Sequence, residues 1–453
     1  MTSTVQVSHH GSGQVSQRRV AFATLVGTTI EWYDFFIFAQ AAALVFSELF
    51  YKPAGPQISL LLSFATVGVS FLFRPLGAFL AGHYGDKLGR RLMLVITLVV
   101  MGGATTLIGL LPTYATAGVL APILLLVLRI LQGISAGGEW GGAVLMAVEH
   151  APGERRGRAG AVPQLGVPLG MLLASGVMAL MTGVISPGDA FMEWGWRVPF
   201  LLSIVLIVLG YFIRRAVDES PVFQEIADRK EQISAPTAVL FKRHWYVVIL
   251  AALIFAGNGA SGYMITGGYL TNYTTQPDGL NMDRTAVLIV ISAAAFGWLV
   301  STFVAGILAD KIGRRNTYLL GWVLLGAMSF PLFAMVNTGR IEMLLIAGLL
   351  FSVGLGLTYG PQAAWYSEIF PADVRFSGVS VSYAIGAILG GAFAPTIATW
   401  LVQQTGGTTA VSIYLLSMVI VGAVATLLLR DRQGINLSIK NVDEQRQNIT
   451  TFN

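Results

Sequence analysis

Cysteine is absent from this sequence, and charged residues are scarce. A chain without cysteine has no disulfide framework, no thiolate metal site and no thiol nucleophile. Charged residues occupy 11% of the 453 positions and hydrophobic residues 55%, whereas a soluble domain carries about 25% charged residues. The composition therefore excludes an ordinary soluble domain and indicates an integral membrane protein.

Basic residues exceed acidic ones, and their placement indicates topology rather than nucleic-acid binding. Of the 28 Lys and Arg residues, 22 fall on one side of the predicted spans, four fall on the other side, and Arg74 and Arg129 fall inside. Short loops rich in Lys and Arg stay in the cytoplasm. We therefore expect a multi-pass protein of the cell membrane with both termini cytoplasmic, embedded in the lipid bilayer and without a nucleic-acid partner.

Apolar segments long enough to cross a bilayer recur along the chain. A spanning helix needs about 20 mainly apolar residues, and about twelve segments meet this requirement. They cover residues 20–46, 59–82, 92–112, 121–148, 159–184, 197–216, 245–272, 285–309, 317–337, 341–366, 377–402 and 408–430. We predict an all-α integral membrane fold with about twelve transmembrane helices.

Two sequence patterns occur twice, which indicates an internal duplication. GHYGDKLGRR at 82–91 returns as GILADKIGRR at 306–315, and EHAPGERR at 149–156 returns as EIFPADVR at 368–375. Duplicated halves with a site between them are typical of secondary transporters. We predict a cytoplasmic tail (1–19), a six-helix bundle (20–216), a cytoplasmic linker (217–244), a second six-helix bundle (245–430) and a C-terminal cytoplasmic tail (431–453).

The repeated turns carry acids and arginines that can pair with neighbouring helix ends. One interpretation is static stabilisation of the turns; the other, favoured because both halves repeat the pattern, is a latch that closes the cytoplasmic side. In the latch, the first turn bridges to Glu149 and Arg156, and the second serves Glu368 and Arg375. The predicted gate residues are Gly82, Asp86, Gly89, Arg90, Arg91, Glu149, Arg156, Asp310, Gly313, Arg314, Arg315, Glu368 and Arg375.

The doubled turns resemble the major facilitator superfamily, and further strings are similar to its metabolite:proton symporter family. These strings are EWYDFFIF, FLFRPLGAFLAGHYGDKLGRR, APILLLVLRILQGISAGGEWGGA, EWGWRVPF and DESPVF. The resemblance spans residues 18–430 and implies a rocking-bundle symporter driven by protons. Its members carry shikimate, 2-oxoglutarate, citrate, other carboxylates, or proline and betaine osmolytes. The tract ending in EWGGAVLMAVEHAP, with NYTTQPDGL, is most similar to the shikimate-transporting members.

Five charged residues lie inside predicted spans, although each costs at least roughly 3 kcal/mol near the bilayer centre. They are Glu31, Asp34, Arg74, Arg129 and Glu139, and all belong to the first half. Such residues must face a cavity or one another. The second half offers uncharged polar and aromatic side chains instead, namely Asn258, Tyr263, Tyr269, Tyr359, Gln362, Trp365 and Tyr366.

Asp34 and Arg129 lie at comparable depths in the first and fourth spans, which line the cavity in the superfamily that the sequence resembles. We therefore expect an ion pair between them, either as a static bridge or as the proton-coupling element. Burial favours a neutral acid and a nearby guanidinium favours the carboxylate, so loosening the pair would let Asp34 take a proton. Glu31, one turn earlier, is expected to assist, and Glu139 is either a second proton site or a structural acid.

Arginine suits a carboxylate substrate because its planar fork matches carboxylate geometry. An Arg129 released from Asp34 is one candidate contact, and the resemblance favours Arg74 and Arg197. Arg197 sits at a span end, where snorkelling at the interface is an equally good interpretation. The remaining predicted substrate contacts are Tyr33, Asn258, Tyr263, Tyr359, Gln362 and Trp365.

No motif supports catalysis. The sequence shows neither a paired acid and nucleophile nor histidines with metal-ligand spacing. We expect no enzyme activity, no cofactor and no bound metal, with protons as the coupling ion. The leading hypothesis is a monomeric, proton-coupled importer of a small organic anion. The alternatives are a symporter of a zwitterionic osmolyte and a drug or metabolite:proton antiporter, because LGVPLG partly resembles the Gly/Pro motif of exporters.

Overall fold

The computed structural model describes residues 12–88, 90–137, 139–149, 151–215, 236–266, 268–277, 279–372, 374–438 and 441–451. Within these residues the chain is built from helices, and the β-pairing is one isolated bridge between Leu429 and Thr450. The predicted all-α membrane fold is therefore confirmed.

The first half of the described chain forms six long helices. They are α1 (Ser12–Ala41, continued by a π-helical turn Ala42–Phe46 and Ser47–Leu49), α2 (Pro56–Leu88), α3 (Arg90–Leu110), α4 (Leu120–Ala136 and Glu139–Glu149), α5 (Arg156–Gln164, Gly166–Leu180 and the π-helical turn Met181–Ile185) and α6 (Arg197–Arg215).

The second half repeats this number of helices. They are α7 (Pro236–Thr266 and Tyr269–Thr275), α8 (Arg284–Ile312), α9 (Arg314–Met328 and Pro331–Val336), α10 (Ile341–Tyr359 and Gln362–Ile369), α11 (Arg375–Gly386, the π-helical turn Ala387–Ala392 and Ala394–Thr405) and α12 (Thr409–Leu428). Each of the twelve corresponds to one predicted span.

Ten helices in the described part of the chain are long and apolar enough to cross a membrane, and Val95–Leu110 in α3 is a shorter apolar helix. The remaining span, α9, is interrupted before Pro331, because proline has no backbone N–H to continue a helix. Large apolar side chains such as Val184 and Val323 are 72% exposed on the outside of the bundle. This surface is suited to lipid, where apolar groups need no protein partner.

The predicted linker at 217–244 falls mostly outside the described residues. Helix α7 already begins at Pro236, and His244 interrupts it with a non-helical backbone (φ −128°, ψ 20°). That break coincides with the predicted start of the seventh span at residue 245. The exact limits of the two halves stay a prediction.

Helices α1 to α6 pack mainly on one another, as do α7 to α12. The most extensive contacts between the two groups run along α5 with α8 and along α2 with α11, and further contacts join α4 and α5 to α10. Small residues permit this approach: the carbonyl oxygen of Ala392 in α11 occupies the space that a Cβ on Gly68 in α2 would need. The two groups of helices therefore meet at two close seams.

Gly390 and Gly176 provide a matched test of helix packing. A Cβ on Gly390 would collide with the backbone of Ala256 in α7, whereas a Cβ on Gly176 in α5 would meet nothing within 4 Å. We expect Gly390→Val to cost about 1–3 kcal/mol or more, because the packed helices must move apart. Thermal unfolding of the purified protein should show a lower melting temperature for Gly390→Val and little change for Gly176→Val. Equal shifts would contradict the described packing of α7 against α11.

Candidate functional site

A small cavity lies between α1, α2, α3 and α4. Four of the five predicted embedded charges line it, namely Glu31, Asp34, Arg74 and Arg129. The fifth, Glu139, begins the second part of α4 and is buried. The cavity volume is about 10 Å³, which is room for about one water molecule. A metabolite could therefore enter only after the helices move apart.

Asp34 is fully buried and is held by two hydroxyl groups. Ser203 of α6 donates to its Oδ1 at 2.6 Å, and Thr105 of α3 donates to its Oδ2 at 3.0 Å. The carboxyl group therefore faces α3 and α6. Within the described chain Asp34 forms no ion pair, so the predicted direct contact with Arg129 is wrong for this conformation.

Arg129 is satisfied by acceptors on α2 and α4. It donates to the carbonyl oxygens of Thr66 (3.3 Å) and Val67 (2.8 Å), to Ser70 Oγ (2.9 Å) and to Gln132 Oε1 (2.8 Å). The reason for this direction is close packing of α2 against α4: the carbonyl oxygen of Ser70 occupies the space next to Gly133. The guanidinium group of Arg129 is therefore held by α2 and does not contact Asp34 on α1.

Neutral side chains join the two charges instead. Gln132 Nε2 donates to Thr105 Oγ1 at 2.7 Å, which gives a chain from Arg129 through Gln132 and Thr105 to Asp34. Because arginine only donates, the oxygen of the Gln132 amide faces Arg129 and its nitrogen faces Thr105. The single hydroxyl proton of Thr105 has two acceptors at 3.0 Å, Asp34 Oδ2 and the carbonyl oxygen of Met101.

Sequence reasoning missed Thr105, Gln132 and Ser203. Neutral polar residues are common in membrane helices and carry no charge that marks them as functional. The available signal was that Gln132 follows Arg129 by one helical turn, on the same face.

Arg74 differs from Arg129 in its surroundings. Its guanidinium carbon lies 4.3 Å from the ring centroid of Phe71 and 5.5 Å from that of Trp32. Its Nε is buried without a hydrogen-bond partner, and within the described chain Arg74 forms neither a hydrogen bond nor an ion pair. Phe71, which lies against Arg74, also contacts Tyr263 of the second half, with ring centroids 5.4 Å apart. Arg74 is thus a buried cation that borders the cavity.

Aromatic rings of the two halves pack against one another, and one of them, Phe35, lines the cavity. Phe35 of α1 contacts Tyr263 of α7 edge to face, with ring centroids 5.6 Å apart. Trp140 of α4 stacks on Tyr383 of α11 at 3.8 Å, and Tyr383 stacks on Phe255 of α7 at 4.1 Å. Trp140 and Tyr383 were not among the predicted contacts.

Three predicted substrate contacts of the second half are buried in it. Asn258 donates to Thr358 Oγ1 at 2.6 Å, so its amide joins α7 to α10. Tyr359 packs on Trp298, with ring centroids 5.6 Å apart. Both polar atoms of the Gln362 side chain are buried without a hydrogen-bond partner, which leaves this amide able to accept or donate.

Three other predicted contacts are engaged in helix packing away from the cavity lining. Tyr33 donates to the carbonyl oxygen of Pro199 at 2.9 Å. Arg197 donates to the carbonyl oxygens of Gly109 (2.9 Å) and Leu111 (2.6 Å), and so caps the end of α3. Trp365 donates to the carbonyl oxygen of Arg430 beyond α12. Each of these three side chains therefore has a structural role, because it bonds a backbone carbonyl group of another part of the chain.

A second polar cluster joins the halves at the end of the bundle where the second repeated turn lies, which we name the basic end. Glu368 of α10 accepts from Arg314 Nε and Nη2, each at 3.2 Å. Arg156 of α5 lies 3.7 Å from the same carboxylate. Arg375 of α11 pairs with Glu149 of α4 at 3.2 Å. Two of these ion pairs therefore connect one half of the molecule to the other.

Asp310 at the end of α8 binds the first turn of α5. It accepts from the backbone N–H groups of Gly157 (2.8 Å) and Arg158 (2.9 Å), and from Arg314 Nη1 (2.7 Å). Free N–H groups and the helix dipole favour an anion at this position. A Cβ on Gly157 would lie 2.6 Å from Asp310 Oδ1, so only glycine allows this approach.

Some of the contacts predicted for the second repeated turn are present, and others differ. Gly313 has φ +94° between α8 and α9, a conformation that favours glycine. The expected contact of Arg314 with Glu368 is present, but Arg315 donates instead to the carbonyl oxygen of Leu427 at 2.8 Å. In the first turn, Gly89 and the side chains at Gly82, Asp86, Arg90 and Arg91 lie outside the described residues, so their predicted role is untested.

Comparison with known proteins identifies the family. The family model described as Major Facilitator Superfamily matches residues 24–375 and 260–452. The chain is 41% identical over 418 residues to the inner membrane metabolite transport protein YhjE of Escherichia coli, covering 91% of this chain and 94% of that protein. It is 35% identical over 450 residues to the shikimate transporter of Escherichia coli, covering 96% and 100%.

Other relatives carry different names. The proline/betaine transporter of Salmonella typhimurium is 31% identical over 423 residues, covering 91% of this chain and 83% of that protein. A crystal structure of the D-xylose-proton symporter superposes with a TM-score of 0.74 at 18% identity, covering 93% of this chain and 100% of that chain. This likeness shows the fold. Since the named relatives are transporters, the expectation of a transporter rather than an enzyme is confirmed.

Glu368 and Glu342 provide a test of the basic-end cluster. Glu368 is 1% exposed between two arginines, whereas Glu342 is largely exposed and pairs with Arg340 at 3.6 Å. Glu368→Gln removes the acid that pairs with Arg156 and leaves Arg314 with Asp310 alone, and breaking a buried ion pair typically costs about 3–5 kcal/mol. We expect a melting temperature several degrees lower for Glu368→Gln, and one close to wild type for Glu342→Gln. Similar melting curves for the two variants would contradict a buried ion cluster.

Proposed function

The chain belongs to the major facilitator superfamily, and we propose that it imports a small organic anion together with protons. The observation that carries the anion is Arg74, a buried guanidinium at the cavity that forms no hydrogen bond or ion pair within the described chain. A charge in an apolar environment is costly unless it is paired. A substrate carboxylate would pair it, and the planar fork of arginine suits that geometry.

The rest of the cavity fits a compact, partly apolar anion. The ring of Phe71 lies against Arg74 and contacts Tyr263, and the ring of Phe35, which lines the cavity, contacts Tyr263 as well. Such a site combines apolar walls with a few polar groups that fix orientation. The relative named as a shikimate transporter supports a hydroxylated carboxylate of this type.

A zwitterionic osmolyte is the second candidate. Glu31 lines the same cavity as Arg74, so one acid and one base border the space that a substrate would occupy. A molecule with both charges could contact both side chains. The relative named as a proline/betaine transporter supports this alternative.

We assign the coupled proton to Asp34. As a carboxylate it attracts the hydroxyl protons of Ser203 and Thr105, because hydrogen bonds to a charged acceptor are the stronger ones. Once Asp34 is protonated, Thr105 can direct its proton to Met101 instead. Protonation then weakens the attachment of α1 to α3 and α6. Since α1 also carries Glu31 and Phe35, this change reaches the substrate cavity.

The basic-end cluster is the part of the molecule that would open and close the site during alternating access. The excess of Lys and Arg supports a cytoplasmic location for this end, and its ion pairs join the two halves there in the present conformation. Release of substrate and proton into the cell would require the pairs Arg156–Glu368 and Arg375–Glu149 to separate. We further propose that one chain suffices, because cavity and cluster lie within it.

An uptake panel tests the proposed substrate class. The protein would be produced in cells that lack their own uptake systems, with accumulation of labelled shikimate, 2-oxoglutarate, citrate and glycine betaine measured with and without an uncoupler. We expect one carboxylate to accumulate and the uncoupler to abolish its accumulation. Arg74→Gln should abolish this uptake because the fork is lost, and Arg158→Gln serves as an exposed control.

The panel separates the alternatives directly. Accumulation that persists with the uncoupler would contradict proton symport. Accumulation of glycine betaine without any carboxylate would favour the zwitterion, and normal uptake by Arg74→Gln would reject Arg74 as the anion contact.

Asp34 and Thr105 test the proton pathway. Asp34→Asn should lose concentrative uptake but keep substrate exchange across the membrane, because exchange needs no net proton movement. Thr105→Val removes one hydrogen bond to the carboxylate, and we expect the ratio of uptake to exchange to fall roughly tenfold. Thr105→Ser keeps the hydroxyl group and should restore the ratio. Within the described part of the chain, the hydroxyl group of the neighbouring Thr106 bonds only to the carbonyl oxygen of Gly102 in its own helix, so Thr106→Val is the control.

The ratio of uptake to exchange is the informative readout. If Thr105→Val and Thr106→Val lower it equally, Thr105 has no special part in coupling. If Asp34→Asn still concentrates substrate, another group carries the proton.

A further inference from the structure

The chain beyond α12 folds back on itself at the basic end. We name its described residues, 429–438 and 441–451, the C-terminal strap. Its two ends are paired: Arg430 N–H donates to Ile449 at 3.1 Å, and Thr451 N–H donates to Leu428 at 3.0 Å. Ile449 is 1% exposed. The strap is therefore a closed, packed loop.

Gln445 is the centre of this loop and is 1% exposed. Its Nε2 donates to the carbonyl oxygens of Asn436 (2.7 Å) and Ser438 (2.9 Å). Its Oε1 accepts from Ala372 N–H (2.7 Å) and Arg375 Nη2 (3.1 Å). One amide thus holds the strap folded and fastens it to the beginning of α11.

The strap also holds both arginines that connect the halves. Arg156 of the first half donates to the carbonyl oxygen of Ile435 at 2.6 Å. Arg375 of the second half donates to the carbonyl oxygen of Leu437 at 3.0 Å while pairing with Glu149. The carbonyl groups are fixed acceptors because Gln445 orders the loop. The strap therefore contacts both halves at the basic end, where the halves must separate for that end to open.

We infer that the C-terminal strap clamps the basic end closed and must release Arg156 when that end opens. The strap is covalently continuous with α12, so it stays with the second half, and separation of the halves breaks its hydrogen bond with Arg156. Hydrogen bonds from a guanidinium are stronger than neutral ones. Weakening the strap should therefore raise the open population roughly tenfold. This inference rests on opening at the basic end and not on the identity of the substrate.

A single introduced cysteine can report opening, because the natural chain has none. Val148 is fully buried beside Glu149. It lies where α4 and α5 meet α10, with Gly160 packed against both Val148 and Ala363. In a Val148→Cys background, the rate of maleimide labelling of the purified full-length protein measures how often this position becomes accessible.

Gln445→Ala and Gln447→Ala form the matched pair, since Gln447 belongs to the same strap but is exposed. We expect labelling at position 148 to be about tenfold faster with Gln445→Ala and unchanged with Gln447→Ala. Equal rates in the two variants, including no labelling in either, would overturn the proposal.

A second reporter separates opening from loss of folding. Ser329 is fully buried at the break in α9, where the segment that begins at Arg314 ends. In a Ser329→Cys background, Gln445→Ala should leave the labelling rate unchanged. If labelling at position 329 accelerates as much as labelling at position 148, the strap contributes general stability and does not clamp the basic end.

Discussion

A charge buried in an apolar helix bundle must be paired or hydrogen-bonded, and this constraint organises the whole molecule. Arg129 meets it with four acceptors, and Asp34 meets it with two hydroxyl groups. Glu368 meets it with two arginines at the basic end. Among the described residues that line the cavity, Arg74 is the exception, and for that reason it is the side chain on which a substrate proposal can rest.

The two polar systems are connected by one helix. The first part of α4 carries Arg129 and Gln132 in the hydrogen-bonded chain, and its second part ends at Glu149 in the basic-end cluster. Close packing against α2 leaves little room for independent movement, since Gly133 contacts the backbone of Ser70. A displacement of α4 would therefore alter the chain near Asp34 and the ion pairs between the halves together.

Sequence reasoning located the helices and the charged members of both polar systems, but it missed the neutral ones and erred on how the central charges are partnered. Depth along a helix follows from residue count at 1.5 Å per residue, which made Asp34 and Arg129 suitable partners. Partnership also depends on rotation about the helix axis and on neighbouring helices, which residue count does not give. Thr105, Gln132 and Ser203 occupy the space that the direct pair was expected to fill.

The sequence by itself determined the class of fold, the number of spans and the excess of basic residues at one end, because bilayer thickness fixes helix length and hydropathy records it. It also marked Glu149, Arg156, Glu368 and Arg375 through their repeated motifs. The tertiary structure alone decided which of them pair across the halves and that the C-terminal strap binds both bridging arginines. It also decided which arginine at the cavity has no hydrogen-bond or ion-pair partner among the described residues. Those outcomes depend on contacts between segments far apart in the chain, which local pattern cannot specify.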